Sequence, residues 1–205
     1  MRRKTRQIHV GQVAVGGDAP VSVQSMSTFS PVDTEKAAAQ ILRLQKAGAG
    51  IVRVAVPDRK AAEALGELKK MVHLPLVADI HFDDRLALTA LECGIDALRI
   101  NPGNIGSAEK VMAVVSRAQP LGVPIRIGIN AGSLPDRILE EHGGHPTAEG
   151  MVDCALEHIQ ILESQHFYDM VISLKSTDVP MMVRGARILA ERVDYPLHLG
   201  VTEAG

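Results

Sequence analysis

PIRIGIN, residues 124–130, alternates without interruption. Ile125, Ile127 and Ile129 fall on one parity, and Arg126, Gly128 and Asn130 fall on the other. Side chains leave a β-strand on alternate faces. As a strand, this segment therefore shows isoleucine to one side and a guanidinium, a bare backbone and an amide to the other. IDALRIN (95–101) repeats the pattern, with Leu98 and Ile100 set against Arg99 and Asn101. PLVADIH (75–81) repeats it again, with Ile80 set against Asp79 and His81. Helices can cover the aliphatic parity. The polar parity must converge on a shared interior, because an unpaired charge pressed against an apolar layer is costly.

Outward from these segments the chain keeps one rhythm. VSVQSM (21–26), GIVRVAV (50–56), YDMVISLK (168–175) and PLHLGVTEAG (196–205) also read as strands. Helical stretches lie between the strands at 34–47, 59–71, 83–92, 107–119, 147–163 and 178–193, and 131–146 is the one long loop. Strands separated by helices specify a parallel sheet. A doubly wound sheet remains open at this point. The barrel is favoured because polar residues close nearly every strand, and a barrel brings all those ends to one mouth. The expected fold is an α/β, TIM-type (β/α)8 barrel over 21–205, truncated after strand seven. Residues 1–20 form an N-terminal extension with a short hairpin in IHVGQVAVGGD (8–18).

The strand ends carry Arg53; Asp79 and His81; Arg99, Asn101 and Asn104; Arg126, Asn130 and Ser133; Lys175; and Thr202 and Glu203. One of Gln24 and Ser25 is expected to point inward, while Met26 reads as packing. Arg53, Arg99, Arg126 and Lys175 place four cations around one cavity, with Asp79 and Glu203 as the acids. Such a cavity needs an anion, and planar arginine forks favour phosphate or diphosphate oxygens. An internal Arg–Asp network without a ligand is the alternative, and the excess of cations argues against it. His81 shares the inward parity of Asp79, which suits substrate contact or proton transfer. A metal held by His81 and Asp79 has weaker support, because no other histidine is well placed. His198, on the parity of Gly200 and Thr202, falls low in the interior. Glu203 suits a general acid if burial raises its pKa, whereas pairing with an arginine lowers it; both remain open. NPGNIG (101–106) allows close backbone approach to a ligand but is neither a P-loop nor a dinucleotide fingerprint.

Composition removes several classes. Hydrophobic residues make up 46% of the chain, which excludes disorder, and aromatics only 2%, which excludes a base-stacking surface. A net charge of −2 supplies no global field for nucleic acid or membrane. No apolar run follows the basic start, so a cytoplasmic enzyme is expected. Cys93 and Cys154 form no CxxC pair and read as helical thiols.

VQSM, DIHFD, LRINPGNIG, IRIGINAGSL and LHLGVTEAG, in this order, resemble the bacterial 4-hydroxy-3-methylbut-2-enyl diphosphate synthases of the non-mevalonate isoprenoid pathway, the GcpE family. Dihydropteroate synthase barrels are similar more distantly. The resemblance spans essentially the whole chain. It implies reductive opening of 2-C-methyl-D-erythritol 2,4-cyclodiphosphate with loss of water. Two electrons would come from flavodoxin or ferredoxin through a [4Fe–4S] cluster, held by three cysteines and a glutamate in a C-terminal domain of a homodimer. Residue by residue, it implies Arg53, Arg99, Arg126 and Lys175 around the diphosphate, with Asn101 and Asn130 hydrogen bonding nearby. It places Asp79 and His81 beside the carbon skeleton and makes Glu203 the acid for the departing hydroxyl. The cluster domain, with its Cys-Pro-x-Cys signature, and the eighth strand are missing from this sequence. No metal is expected on this chain, which is expected to be inactive alone. A non-redox barrel acting on another phosphorylated or pterin substrate is the alternative, and a non-catalytic binding barrel is a third reading.

Overall fold

A computed structural model of the chain describes residues 3–81, 83–101, 105 and 107–201. An antiparallel hairpin, β1 (Gln7–Val10) with β2 (Val13–Gly16), precedes a six-stranded parallel sheet. The sheet runs in sequence order through β3 (Gln24–Met26), β4 (Ile51–Ala55), β5 (Leu76–Asp79), β6 (Ala97–Ile100), β7 (Ile125–Asn130) and β8 (Met170–Lys175). Strands that neighbour in sequence order, each reached through a helix, are the winding of a TIM-type barrel. The described strands form a curled, open arc of it. Helices α1 (Thr34–Lys46), α2 (Arg59–Met71), α3 (Asp84–Glu92), α4 (Ala108–Ala118), α6 (Ala148–Glu163) and α7 (Val179–Arg192) link the strands or follow the last of them. No helix among the described residues is long and apolar enough to cross a membrane.

Local chemistry sets these boundaries. Asp58, Asp83, Thr147 and Asp178 each accept a hydrogen bond from an amide in the first turn of the helix they precede, satisfying a donor that the helix leaves open. Pro75, Pro124 and Pro196 stand at strand starts. They have no amide hydrogen to place, and their carbonyls accept from Val52, Leu98 and Ile172 on the neighbouring strands.

The parity of the strands splits the interior in two. Val52, Val54, Leu76, Ala78, Leu98, Ile100, Ile125, Ile127, Ile129, Met170, Ile172 and Leu174 pack into the core under the helices. Ile51, Val77, Ala97 and Val171 face the other way and form a separate apolar cluster with Ile8 and Val10 of the hairpin. Arg3 ties the segment before the hairpin to the far end of the chain. Its guanidinium donates to the carbonyls of Ala190, at 2.9 Å, Val193 and Tyr195. Arg6 pairs with Asp194 at 2.9 Å and lies over the rings of Tyr168 and Tyr195.

Three expectations need correction. The first strand is shorter than 21–26, because Val21 and Val23 are exposed and the ladder to β4 begins only at Gln24. The long loop contains a short helix, α5 (Asp136–Glu141), that starts directly after Pro135. Six residues between Pro135 and a Gly143–Gly144 pair gave too little periodicity to read as a helix. Among the described residues, the seventh strand is reduced to one bridge, Leu197 to Ile172, flanked by a hydrogen bond from His198 to the Ile172 carbonyl. Beyond it, Leu199 is 70% exposed.

The hairpin cluster carries a direct consequence. Ile8 is 3% exposed, and Ile8→Ala should lower the unfolding free energy in urea by about 2–4 kcal/mol. Val21→Ala, at a side chain 83% exposed, should stay within about 0.5 kcal/mol. Equal effects would mean that the hairpin does not contribute to the core.

Candidate functional site

The register of the parallel strands lines up the inward polar residues. Met26 pairs with Arg53, Asp79 with Arg99, Arg99 with Arg126, and Asn130 with Lys175. Asp79 is the hub. One carboxylate oxygen accepts from Arg99 Nη1 at 3.1 Å and lies 3.4 Å from His81 Nε2. The other lies 3.4 Å from Arg53 Nε. Burial alone would raise this carboxyl's pKa. His81, Arg99 and Arg53 outweigh burial and hold it down at about 2. Asp79 is therefore an anion that neutralises guanidiniums. With guanidiniums against both oxygens it is a poor ligand for a metal cation. Among the described residues, no group of three or more histidines, cysteines or carboxylates is arranged to hold a metal.

Asp79, Arg99, Asn101 and Arg126 are all buried to 5% exposure or less. Arg126 donates to Ser173 Oγ at 3.0 Å, while its Nε and Nη2 are buried without a partner. The Nε atoms of Arg53 and Arg99 also lack hydrogen-bond acceptors. Burial first, and then Arg53 and Arg99, push the Arg126 pKa down. A guanidinium nevertheless keeps its proton, so Arg126 is a buried cation beside two others. Lys175 is pushed down to about 8 by burial, followed by Arg126, Arg53 and Arg99. His198 is pushed down to about 3 by burial, followed by Arg126, Lys175 and Arg53, so it is neutral at pH 7.

A cavity of about 490 Å³ extends from Val10, Val15 and Gly16 of the hairpin to Arg126, Lys175 and His198. Arg53, Asp79 and Arg99 are not part of its lining. The geometry thus brings together Arg53, Asp79, His81, Arg99, Arg126 and Lys175. Asn101 is buried one residue beyond β6, and Asn130 is half-buried at the end of β7. His81 sits at the rim with 47% of its side chain exposed. Glu203, with Thr202 and Asn104, lies outside the described residues. Gln24 lines the cavity, whereas Ser25 pairs with Val52 on the opposite parity. Met26 does more than pack, since its Sδ lies 2.9 Å from Arg53 Nη2.

Sequence reading missed Ser173. Its signal was present in MVISLK (170–175), where Ser173 shares the parity of Lys175. A small hydroxyl surrounded by aliphatics did not stand out. The two cysteines lie in the helical layer. Cys93 closes α3, and Cys154 is buried within α6 with its thiol pushed up to about 11, chiefly by burial.

The model of the GcpE TIM-barrel domain matches residues 5–205. Two 4-hydroxy-3-methylbut-2-en-1-yl diphosphate synthases (flavodoxin), from Acidithiobacillus ferrooxidans and Geobacillus kaustophilus, are each 56% identical over 204 residues. Those matches cover 100% of this chain but 56% and 54% of the relatives, so the chain spans about half the length of the curated relatives it matches. Among solved structures, dihydropteroate synthase (FolP) from Thermus thermophilus is similar with a TM-score of 0.62 at 14% identity, covering 97% of this chain and 93% of that one. The Plasmodium falciparum HPPK-DHPS protein gives 0.63 at 9% identity, covering 94% and 37%. At those identities the solved structures share only the architecture. A family model that covers nearly every residue, and relatives identical at more than half of all positions, establish that this chain belongs to the GcpE family.

Proposed function

We propose that this barrel is the substrate-binding part of a 4-hydroxy-3-methylbut-2-enyl diphosphate synthase. It binds 2-C-methyl-D-erythritol 2,4-cyclodiphosphate, which takes up two electrons and two protons, opens its ring and loses water. The product is (E)-4-hydroxy-3-methylbut-2-enyl diphosphate. One observation carries the reading: among the described residues, four cations share a buried face with a single carboxylate, in a chain more than half identical to synthases of that name. A doubly phosphorylated ligand supplies the missing negative charge and the acceptors for the unpaired Nε and Nη2 hydrogens of Arg126.

In this reading Arg53, Arg99, Arg126 and Lys175 surround the diphosphate. Asn101 and Asn130 donate hydrogen bonds to it or to the hydroxyls. Asp79 keeps Arg53 and Arg99 in place and, with His81, borders the carbon skeleton. Glu203 is the acid for the departing hydroxyl. The apolar hairpin end excludes water from below, which strengthens each charge contact above it. Flavodoxin, or ferredoxin, would supply the electrons, and a [4Fe–4S] cluster in a cytoplasmic homodimer would deliver them. The residues of this chain do not fit that cluster. Cys93 and Cys154 are single thiols on the helical side of the sheet, and Cys154 is held as the neutral thiol. Binding, orientation, exclusion of water and the proton from Glu203 are the contributions of this chain's residues.

The direct test supplies the cyclodiphosphate and reduced flavodoxin. The protein at its full natural length should yield the hydroxylated diphosphate, whereas residues 1–205 alone should bind the cyclodiphosphate without turning it over. Failure to bind would refute the reading.

Two further outcomes follow from charge. Arg126→Met should stabilise the ligand-free protein by about 1–2 kcal/mol in urea, because it relieves like-charge burial. It should also weaken cyclodiphosphate binding by about a hundredfold in calorimetry. Loss of both stability and affinity would contradict an uncompensated cation.

Lys175 sets the pH dependence. Below pH 8 the lysine is protonated with or without ligand, so affinity is at its full value and binding moves no proton. Bound phosphate draws its pKa back toward the ordinary value. As pH rises above about 8, the free protein loses this proton, binding must take one up, and affinity falls. Calorimetry at pH 9 in buffers of different ionisation enthalpy should show this uptake, and Lys175→Met should remove most of it.

A further inference from the structure

Gly128 and Ser173 are register partners on β7 and β8, so they form one rung of the sheet on its inward face. Each seats a different buried guanidinium. A Cβ on Gly128 would stand 2.5 Å from Arg99 Nε and 2.8 Å from its Nη2. The Gly128 carbonyl accepts from Arg99 Nη2 at 3.5 Å. Only glycine lets Arg99 lie flat across the strand. Ser173, 1% exposed, has one hydroxyl hydrogen, which it donates to the Ile127 carbonyl at 3.4 Å. Its lone pairs are thereby turned to Arg126 Nη1, which donates to it at 3.0 Å. With Nη1 engaged, Nε and Nη2 are the edge of Arg126 left for a ligand. Arg99 and Arg126 are themselves register partners, facing the same way without a carboxylate between them on the ladder.

We propose that the Gly128–Ser173 rung is a positioning device that fixes the orientation of these two guanidiniums, and that it thereby selects a ligand with two linked phosphoryl groups over one with a single group. The proposal rests on the diphosphate reading above. Ser173 is a positioning residue: it acts on the ligand through Arg126, and its own Oγ is occupied on both sides. A repulsive pair of arginines would otherwise splay apart, and each would bind a phosphoryl group independently. Held at one strand spacing, the pair engages two linked groups at once. That arrangement gains affinity by effective concentration, and the gain is lost when the geometry is lost.

The test uses the protein at its full natural length, with inorganic pyrophosphate and inorganic phosphate as calorimetric probes. The wild type should prefer pyrophosphate. If it binds neither probe, the diphosphate reading itself fails. Ser173→Ala should weaken pyrophosphate by about tenfold and phosphate by less than about twofold, on the scale of one hydrogen bond to a charged group. Ser173→Thr keeps the hydroxyl and should restore the preference, which a purely structural effect of truncation would not do. In turnover, Ser173→Ala should raise KM for the cyclodiphosphate and leave kcat within about twofold. Gly128→Ala should lose the preference as well. Should it fail to fold, the Ser173 pair of variants still decides. A Ser173→Ala protein that keeps the wild-type pyrophosphate-to-phosphate ratio, or that loses both probes equally, overturns the proposal.

Discussion

The carboxylate of Asp79 is the one negative charge around which the described interior is organised. It draws Arg99 and Arg53 to its two oxygens, and the pull of those cations, with His81, overcomes the cost of burying it. Without it, four cations would face one another across the inner side of a curled sheet, where like charges repel strongly in a low-dielectric space. With it, two cations are partly compensated and two are not. Arg126 and Lys175 have no ion-pair partner among the described residues. The ligand-free barrel therefore holds stored repulsion, and an anion that relieves it stabilises the fold by an amount that grows with its concentration relative to its Kd. Affinity and instability are here two aspects of one arrangement.

The choice of cation follows from depth. Arg53, Arg99 and Arg126 lie on the inner face of the sheet, and guanidinium tolerates such burial because it is weakly hydrated and keeps its proton. Lys175 ends β8 half-buried, and there an ammonium shifts its pKa into a range that a bound anion can reverse. Below this charged rung the inward residues become Ile51, Val77, Ala97 and Val171, capped by the hairpin. The change from apolar to polar takes two residues along each strand, from Ile51 to Arg53, Val77 to Asp79, Ala97 to Arg99 and Val171 to Ser173. Stability of the lower layer and chemistry of the upper one thus depend on different residues of the same strands.

Much of this was legible because a strand has period 2. PIRIGIN and the LRIN end of IDALRIN each separate aliphatics from polar groups so cleanly that the inward set could be named without knowing which strand paired with which. What was not legible was whatever depended on neighbours across the sheet. Ser173 acquires its role only because register sets it beside Gly128 and within reach of Arg126. Met26 reads as packing until Arg53 is placed opposite it. The segment from Pro196 has the composition of a strand but, among its described residues, keeps only one bridge, because extended structure needs partners and β-propensity does not supply them. Helix α5 was hidden by its length. Glu203, read as a site residue from its place at the end of the seventh strand, and Asn104, in the loop after the fourth, lie outside the described residues.

The Gly128–Arg99 contact shows why glycine in this strand is not a weakness. In most strands glycine forfeits packing and loosens the ladder. Here the volume that a side chain would occupy is filled by the guanidinium of the neighbouring strand, so the layer stays dense and Arg99 is confined to one plane. Confinement matters more for arginine than for an aliphatic filler, because a planar fork binds an oxyanion well in only a few orientations. A flexible arginine would lose rotamer entropy on binding, whereas one seated against Gly128 and Asp79 has lost it on folding. The same reasoning applies to Arg126 through the hydroxyl of Ser173. The entropic cost of ordering the site therefore falls on the fold, which meets it with the aliphatic core beneath the helices, and the ligand meets cations that are already aligned.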